Sequence, residues 1–96
     1  MFDINYTDSA LDFISTIPLK DKTHVKETIE LCLGTYLKVV TKRCNKKLLK
    51  GSKLKIHRLH ISMTYTLFYQ IDDEHEQVVV VSAMRINQAH SKYGSF

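Results

Sequence analysis

Two histidines and a group of cations carry most of the chemistry this sequence could perform. Arg58 and His60 stand two apart in IHRLHISMTYTLFY (56–69), and His90 follows Arg85 in RINQAHSKYGSF (85–96), with Lys92 and Tyr93 close behind. Residues i and i+2 of a β-strand share a face, so Arg58 and His60 project together while Leu59 and Ile61 turn to a core. If the C-terminal segment meets that face, the site holds two imidazoles, Arg58, Arg85, several lysines, and the phenols Tyr65 and Tyr93, with no carboxylate. Such a set suits metal-independent cleavage of RNA, in which the 2′-oxygen attacks the adjacent phosphate. Imidazole can remove the 2′ proton or protonate the leaving 5′-oxygen, and Arg or Lys can stabilise the phosphorane. A magnesium-dependent nuclease would need carboxylates that this set lacks.

The remaining candidates are graded by position. Lys55 and His57 lie on the opposite parity at the strand's start and reach the site only if twist or a bulge brings them round. Tyr65 and Tyr93 could orient or stack unpaired bases. His24, at a helix start, and His75, in an acidic turn, read as surface residues. A zinc site from His57, His60 and His90 would lack a fourth ligand and sit among cations, so no metal and no cofactor is expected.

Charge is segregated along the chain. Net charge is +4. Residues 31–71 contain no Asp or Glu but hold Lys38, Lys42, Arg43, Lys46, Lys47, Lys50, Lys53, Lys55 and Arg58, leaving this segment at +9 and the rest at −5. A solvated lysine-rich loop explains most short basic runs, but here the run continues into a patterned strand, as expected for a surface that meets a polyanion. Lys47, Lys50, Lys53 and Lys55, together with His57 and Tyr65, are therefore the RNA-binding candidates.

These residues need elements to position them. Ninety-six residues, 44% of them hydrophobic, with three glycines and one proline, suffice for one domain, 1–96, with a single core. FDINYT alternates as a first strand. Thr7 or Asp8 caps a helix with Ala10, Phe13, Ile14 and Ile17 on one side, ending at Pro18. Val25, Ile29, Cys32, Leu33, Tyr36 and Leu37 recur at helical steps along a second helix, weakened at Gly34. Strands follow at 54–61, 65–71 and 77–85, the last two joined by the acidic turn DDEHE. Val78 to Val81 is apolar on both parities and predicts an interior strand. The class is α+β in the order β-α-α-β-β-β: a small twisted antiparallel sheet, two helices on one face and an open basic second face. Cys32 and Cys44 form no CxxC pair and read as free thiols. No run reaches transmembrane length, and MFDINYTDSA lacks a signal peptide's basic start and apolar centre, so a cytoplasmic protein without membrane contact is expected.

Over nearly its full length the chain resembles the RelE/ParE superfamily of toxins from type II toxin–antitoxin systems. The resemblance is carried by SALDFISTIP, KLLKGSKLKIHRLHI, TYTLFYQID with its acidic turn, and VVVVSAMR with its short tail. Within the superfamily the spacing is most similar to the histidine-using branch typified by YafQ. His60, Tyr65, Tyr69 and His90 fall on that branch's histidine, aromatic, tyrosine and C-terminal histidine, Gly51-Ser52 matches its loop, and its final aromatic corresponds to Tyr93 or Phe96. Thr64 stands where the branch has an aspartate, and Lys47 where it has an upstream histidine. Thr66 replaces the arginine that follows the tyrosine in the RelE branch, with Arg58 and Arg85 as substitutes.

The resemblance implies a ribosome-dependent mRNA interferase. Its partners would be the ribosome, mRNA and a cognate antitoxin laid across the basic face, with no small-molecule cofactor. Its catalytic set would be His60, His90, Arg58, Arg85 and Tyr93. The alternative on the same scaffold is a non-catalytic toxin, either a ParE-like gyrase inhibitor or a degenerate member that only binds its antitoxin. A basic RNA-binding domain unrelated to toxins is the third possibility.

Overall fold

The structure is a computed structural model that describes residues 2–92. Strand β1 (Asp3–Tyr6) leads through Thr7 into helix α1 (Asp8–Ser15), and the Thr7 hydroxyl accepts from the Ala10 amide at 3.2 Å while donating to the Val81 carbonyl. One side chain thus caps the helix and ties it to a distant strand. Pro18 separates α1 from α2 (Leu19–Ile29), which continues into a π-helical turn at Glu30–Thr35. The Tyr36 amide there bonds to the Leu31 carbonyl at 2.8 Å, five residues back.

Four antiparallel strands follow: β2 (Asn45–Leu48), β3 (His57–Ile61), β4 (Tyr65–Asp72) and β5 (Gln77–Arg85), then a short helix, α3 (Ile86–His90). The sheet order is β1-β5-β4-β3-β2, with β1 parallel to β5 and the other pairs antiparallel. The α+β class, the helical layer and the three expected long strands are present. The structure adds β2 and α3, and starts β3 at His57, not at residue 54.

Helices α1 and α2 cover one face. Ala10, Ile17, Val25, Ile29 and Leu33 pack there against Leu59, Ile61, Leu67, Tyr69, Val78 and Val80, all buried. The second face is partly covered. Leu49 and Ile56 from the basic loop and Ala89 from α3 close on Phe68, flanked by Val81 and Met84. Gly51 (φ 76°) sits in the left-handed region within the turn that lets that loop fold back. This small second core holds the loop and α3 against the sheet.

Two details alter what the sequence implies. Cys32 and Cys44 are paired in a disulfide with Cα atoms 5.6 Å apart, joining the π-helical turn to the start of β2, so the expected free thiols are corrected. A bulge in the β4–β5 ladder pairs Phe68 with Ser82 but Tyr69 with Val80. The extra residue, Val81, reverses the parity of β5 beyond it and sends Ala83 to the helix-covered core.

Candidate functional site

Strands β2 and β3 build the floor of a basic cleft. Their register sets Asn45 opposite His60 and Lys47 opposite Arg58, all on the face away from α1 and α2. Like charges directly opposite across an antiparallel pair cost stability, so the Lys47–Arg58 juxtaposition is a local liability unless an anion meets it. Asn45 Oδ1 accepts from the Arg58 guanidinium at 3.2 Å and holds it over the sheet.

Lys47, Leu49, Lys50, Arg58, His60 and His90 together line one cleft of about 340 Å³. The second core explains how residues so far apart in sequence arrive there. Ala89 buries against Phe68 and delivers the neighbouring His90, while Leu49 delivers Lys50. His60 holds its proton less tightly than an ordinary imidazole, first because it is half-buried, then because Arg58 and His90 add positive charge nearby.

His90 also lines a second cleft of about 400 Å³, with Met63, Thr64, Arg85, Ile86 and Asn87. A more apolar groove of about 260 Å³ lies between α1 and α2. Its titratable lining is Tyr6, Lys22 and Lys26, without the acid–base pair that transfer chemistry needs.

No family model and no curated protein matches the sequence. Solved structures do match. The chain is similar to the RelBE2 toxin–antitoxin complex of Mycobacterium tuberculosis (TM-score 0.70, 25% identity, 88% of this chain and 96% of that one). It is also similar to the DinJ–YafQ toxin–antitoxin complex of E. coli (TM-score 0.70, 15% identity, 91% and 94%) and to the isolated E. coli RelE toxin (TM-score 0.67, 16% identity, 100% of both). The chain has the fold of the RelE/ParE toxin superfamily.

On this RelE-like scaffold the expected residues separate into groups. His60, His90, Arg58, Lys47 and Lys50 share the basic cleft. Arg85 does not join His60. The bulge places its guanidinium over the Tyr65 ring, 5.9 Å from the centroid, and it lines the second cleft. Lys53 and Lys55 are exposed on the loop outside both clefts. Tyr93 lies outside the described residues.

Two expected RNA contacts are corrected. Tyr65 is buried on the helix-covered side, edge-on to Phe13, and its hydroxyl donates to Asp21 at 2.9 Å. Burial, then the bond to Asp21, raises its pKa, so it acts as a packed helix-to-sheet tie. His57 keeps the parity of Leu59 and stacks on Tyr69 at 5.1 Å on that same side; neither twist nor bulge brings it round. Burial and then Lys46 depress its pKa, and burial pushes the Tyr69 phenol to about 12. Lys46 is itself withdrawn from the basic face, donating to the carbonyls of Cys32, Tyr36 and Leu37 at the end of the helical segment.

Sequence reasoning missed Asn45, whose type gives no hint without the β2–β3 register, and Met63 and Asn87, which gain meaning only once α3 packs beside β4. Among the described residues no cluster of three or more His, Cys, Asp or Glu could hold a metal ion. No helix among them is long and apolar enough to cross a membrane.

Proposed function

We propose that this chain is the toxin of a type II toxin–antitoxin pair, acting in the cytoplasm as a ribosome-dependent, metal-independent mRNA endoribonuclease. The observation that carries this reading is the basic cleft, where His60 of β3 and His90 of α3 stand with Lys47, Lys50 and Arg58. His60, with its depressed proton affinity, is the neutral base that takes the 2′-hydroxyl proton. The 2′-oxygen bonds to phosphorus, the bond to the 5′-oxygen breaks, and His90 protonates that oxygen. The products are a 2′,3′-cyclic phosphate and a free 5′-hydroxyl. Arg58, held by Asn45, and Lys47 face the phosphorane oxygens, and their otherwise unfavourable pairing supports an anion between them. Lys50, Lys53 and Lys55 extend the positive surface towards message or ribosomal RNA, and the cognate antitoxin masks the same face with acidic residues.

One observation favours the non-catalytic reading. Thr66, in the place of the RelE-branch arginine, is completely buried, and among the described residues its hydroxyl has no hydrogen-bond partner, so it cannot touch substrate. In vitro translation with mapping of message ends separates the two readings. Wild type should cut translated message, and the paired His60→Ala, His90→Ala variant should leave it intact. Arrest of translation by both proteins with uncut message would establish a binding-only toxin.

A further inference from the structure

The Cys32–Cys44 bridge closes a loop that stands largely in solvent, with Val39 half exposed and Val40 fully exposed. The loop ends where Cys44 leads into β2, the edge strand, which pairs with β3 alone and is exposed at three of its four residues. Edge segments with few buried contacts are the ones that open locally at low cost. This one is held by its ladder to β3, by the Lys46 ammonium on the carbonyls at the end of the helical segment, and by the disulfide. What the bridge holds is part of the basic cleft. Asn45, the next residue, accepts from the Arg58 guanidinium at 3.2 Å, and Lys47 lines the cleft with His60 and His90.

The two sulfurs differ in access. Cys32 is wholly enclosed, whereas Cys44 lines a cleft of about 310 Å³ on the other side of β2, together with Val39, Val40, Leu48, Lys46 and Lys47. A reductant entering there meets Cys44 Sγ first, and the two lysines favour an incoming thiolate. One thiolate of a dithiol attacks Cys44 Sγ; the bond between the protein sulfurs breaks, and Cys32 leaves as a thiolate that takes a proton from water. The dithiol's second thiolate attacks its first sulfur in the mixed disulfide and releases the Cys44 thiolate, which is protonated in turn. Two electrons pass to the protein and the dithiol becomes a disulfide. A small-molecule disulfide runs the same exchange in reverse.

We propose that this bridge is a redox switch on the basic cleft: closed, it fixes the start of β2 so that Asn45, Arg58 and Lys47 meet RNA together, and opened by a dithiol, it frees that end of the strand and weakens RNA binding. Disulfides in a reducing compartment are usually transient and regulatory, not structural. The switch takes its ligand and its compartment from the proposed function, but release of the strand and loss of binding can both be measured without cleavage.

The test compares the full chain oxidised, treated with dithiothreitol, and as the paired Cys32→Ala, Cys44→Ala variant. Free thiols are counted by maleimide labelling, the strand is followed by amide hydrogen exchange, and RNA binding is measured with a 2′-O-methyl uridine hexamer, which lacks the nucleophile. Dithiothreitol under native conditions should expose both thiols and speed exchange at Asn45–Leu48 while β4 and β5 stay protected. It should also weaken hexamer binding about tenfold, the value of one lost hydrogen bond to a charged group. Oxidised glutathione should restore both, and the paired variant should behave as the reduced chain does and ignore dithiothreitol. A bridge that dithiothreitol leaves intact, equal affinity in the two states, or loss of protection throughout β4 and β5 would overturn the switch and leave the nuclease reading standing. Redox-dependent affinity in a protein that never cuts message would support the switch and remove the nuclease. No binding of the hexamer in either state would overturn both.

Discussion

At the residue scale, the site depends on a histidine that stays neutral among cations. His60 and His57 both titrate below the ordinary 6.5 in the folded chain. A depressed folded-state value means their neutral forms are favoured, so the stability they contribute is complete above about pH 6.5 and is lost as pH falls through the folded values. The same titration governs the base in the proposed reaction. The acid limb of kcat/KM should have its midpoint below 6.5. Arg58→Gln removes a positive neighbour, so it should move that midpoint upward as well as slowing cleavage. A limb that stays in place in Arg58→Gln, measured on programmed ribosomes across pH, would assign the titration to another group.

At the element scale, the edge strand β2 matters most, since it supplies Asn45 and Lys47 and is anchored by Lys46 and by the Cys32–Cys44 disulfide. With a sequence separation of 12, the chain-entropy model assigns that bridge a stabilisation of about 3 kcal/mol. Reduction, or the paired Cys32→Ala, Cys44→Ala change, should lower the urea midpoint accordingly; an unchanged midpoint would show that the unfolded chain gains nothing from the cross-link. This strand also marks where sequence reading stopped. NKKL has no apolar alternation, because its inward residue is the lysine that caps a helix, so the hydrophobic pattern could not show it. Strands β3, β4 and β5 were legible from alternation and turn signals, as were α1 from Thr7 and Pro18 and the apolar stripe of α2. The disulfide was not, because a spacing of 12 matches no motif and the contact depends on the π-helical turn. The separation of Arg85 from His60 was not legible either, because it follows from the bulge at Val81, and a bulge leaves no mark in a run of four valines. His57 and Tyr65 needed no such device, since plain parity already put them on the covered face.

At the scale of the whole molecule, the helical layer and the disulfide support one side of the sheet, and the basic loop and α3 fold over the other to leave a cationic cleft between them. Part of the segregated charge is spent internally, because Lys46 caps a helix and Lys38 pairs with Asp73 while lying over the Phe2 ring. The cations left lining the cleft are Lys47, Lys50 and Arg58, and on the proposed function these are the ones that would meet RNA. Each phosphate they neutralise on a single strand should contribute about −0.7 to the slope of log K against log salt, so Lys47→Gln should flatten that slope by about this amount. An unchanged slope would take Lys47 off the nucleic-acid path.

The division of labour between the two imidazoles can be tested with a message carrying a 5′-sulfur in place of the bridging 5′-oxygen at the mapped cut site. Sulfur leaves without needing a proton. His90→Ala should cut this message at close to the wild-type rate while remaining about 10²- to 10⁴-fold slow on the oxygen form, and His60→Ala should be slow on both. Equal defects of the two variants on both messages would contradict the assignment of His60 as base and His90 as acid at a single linkage.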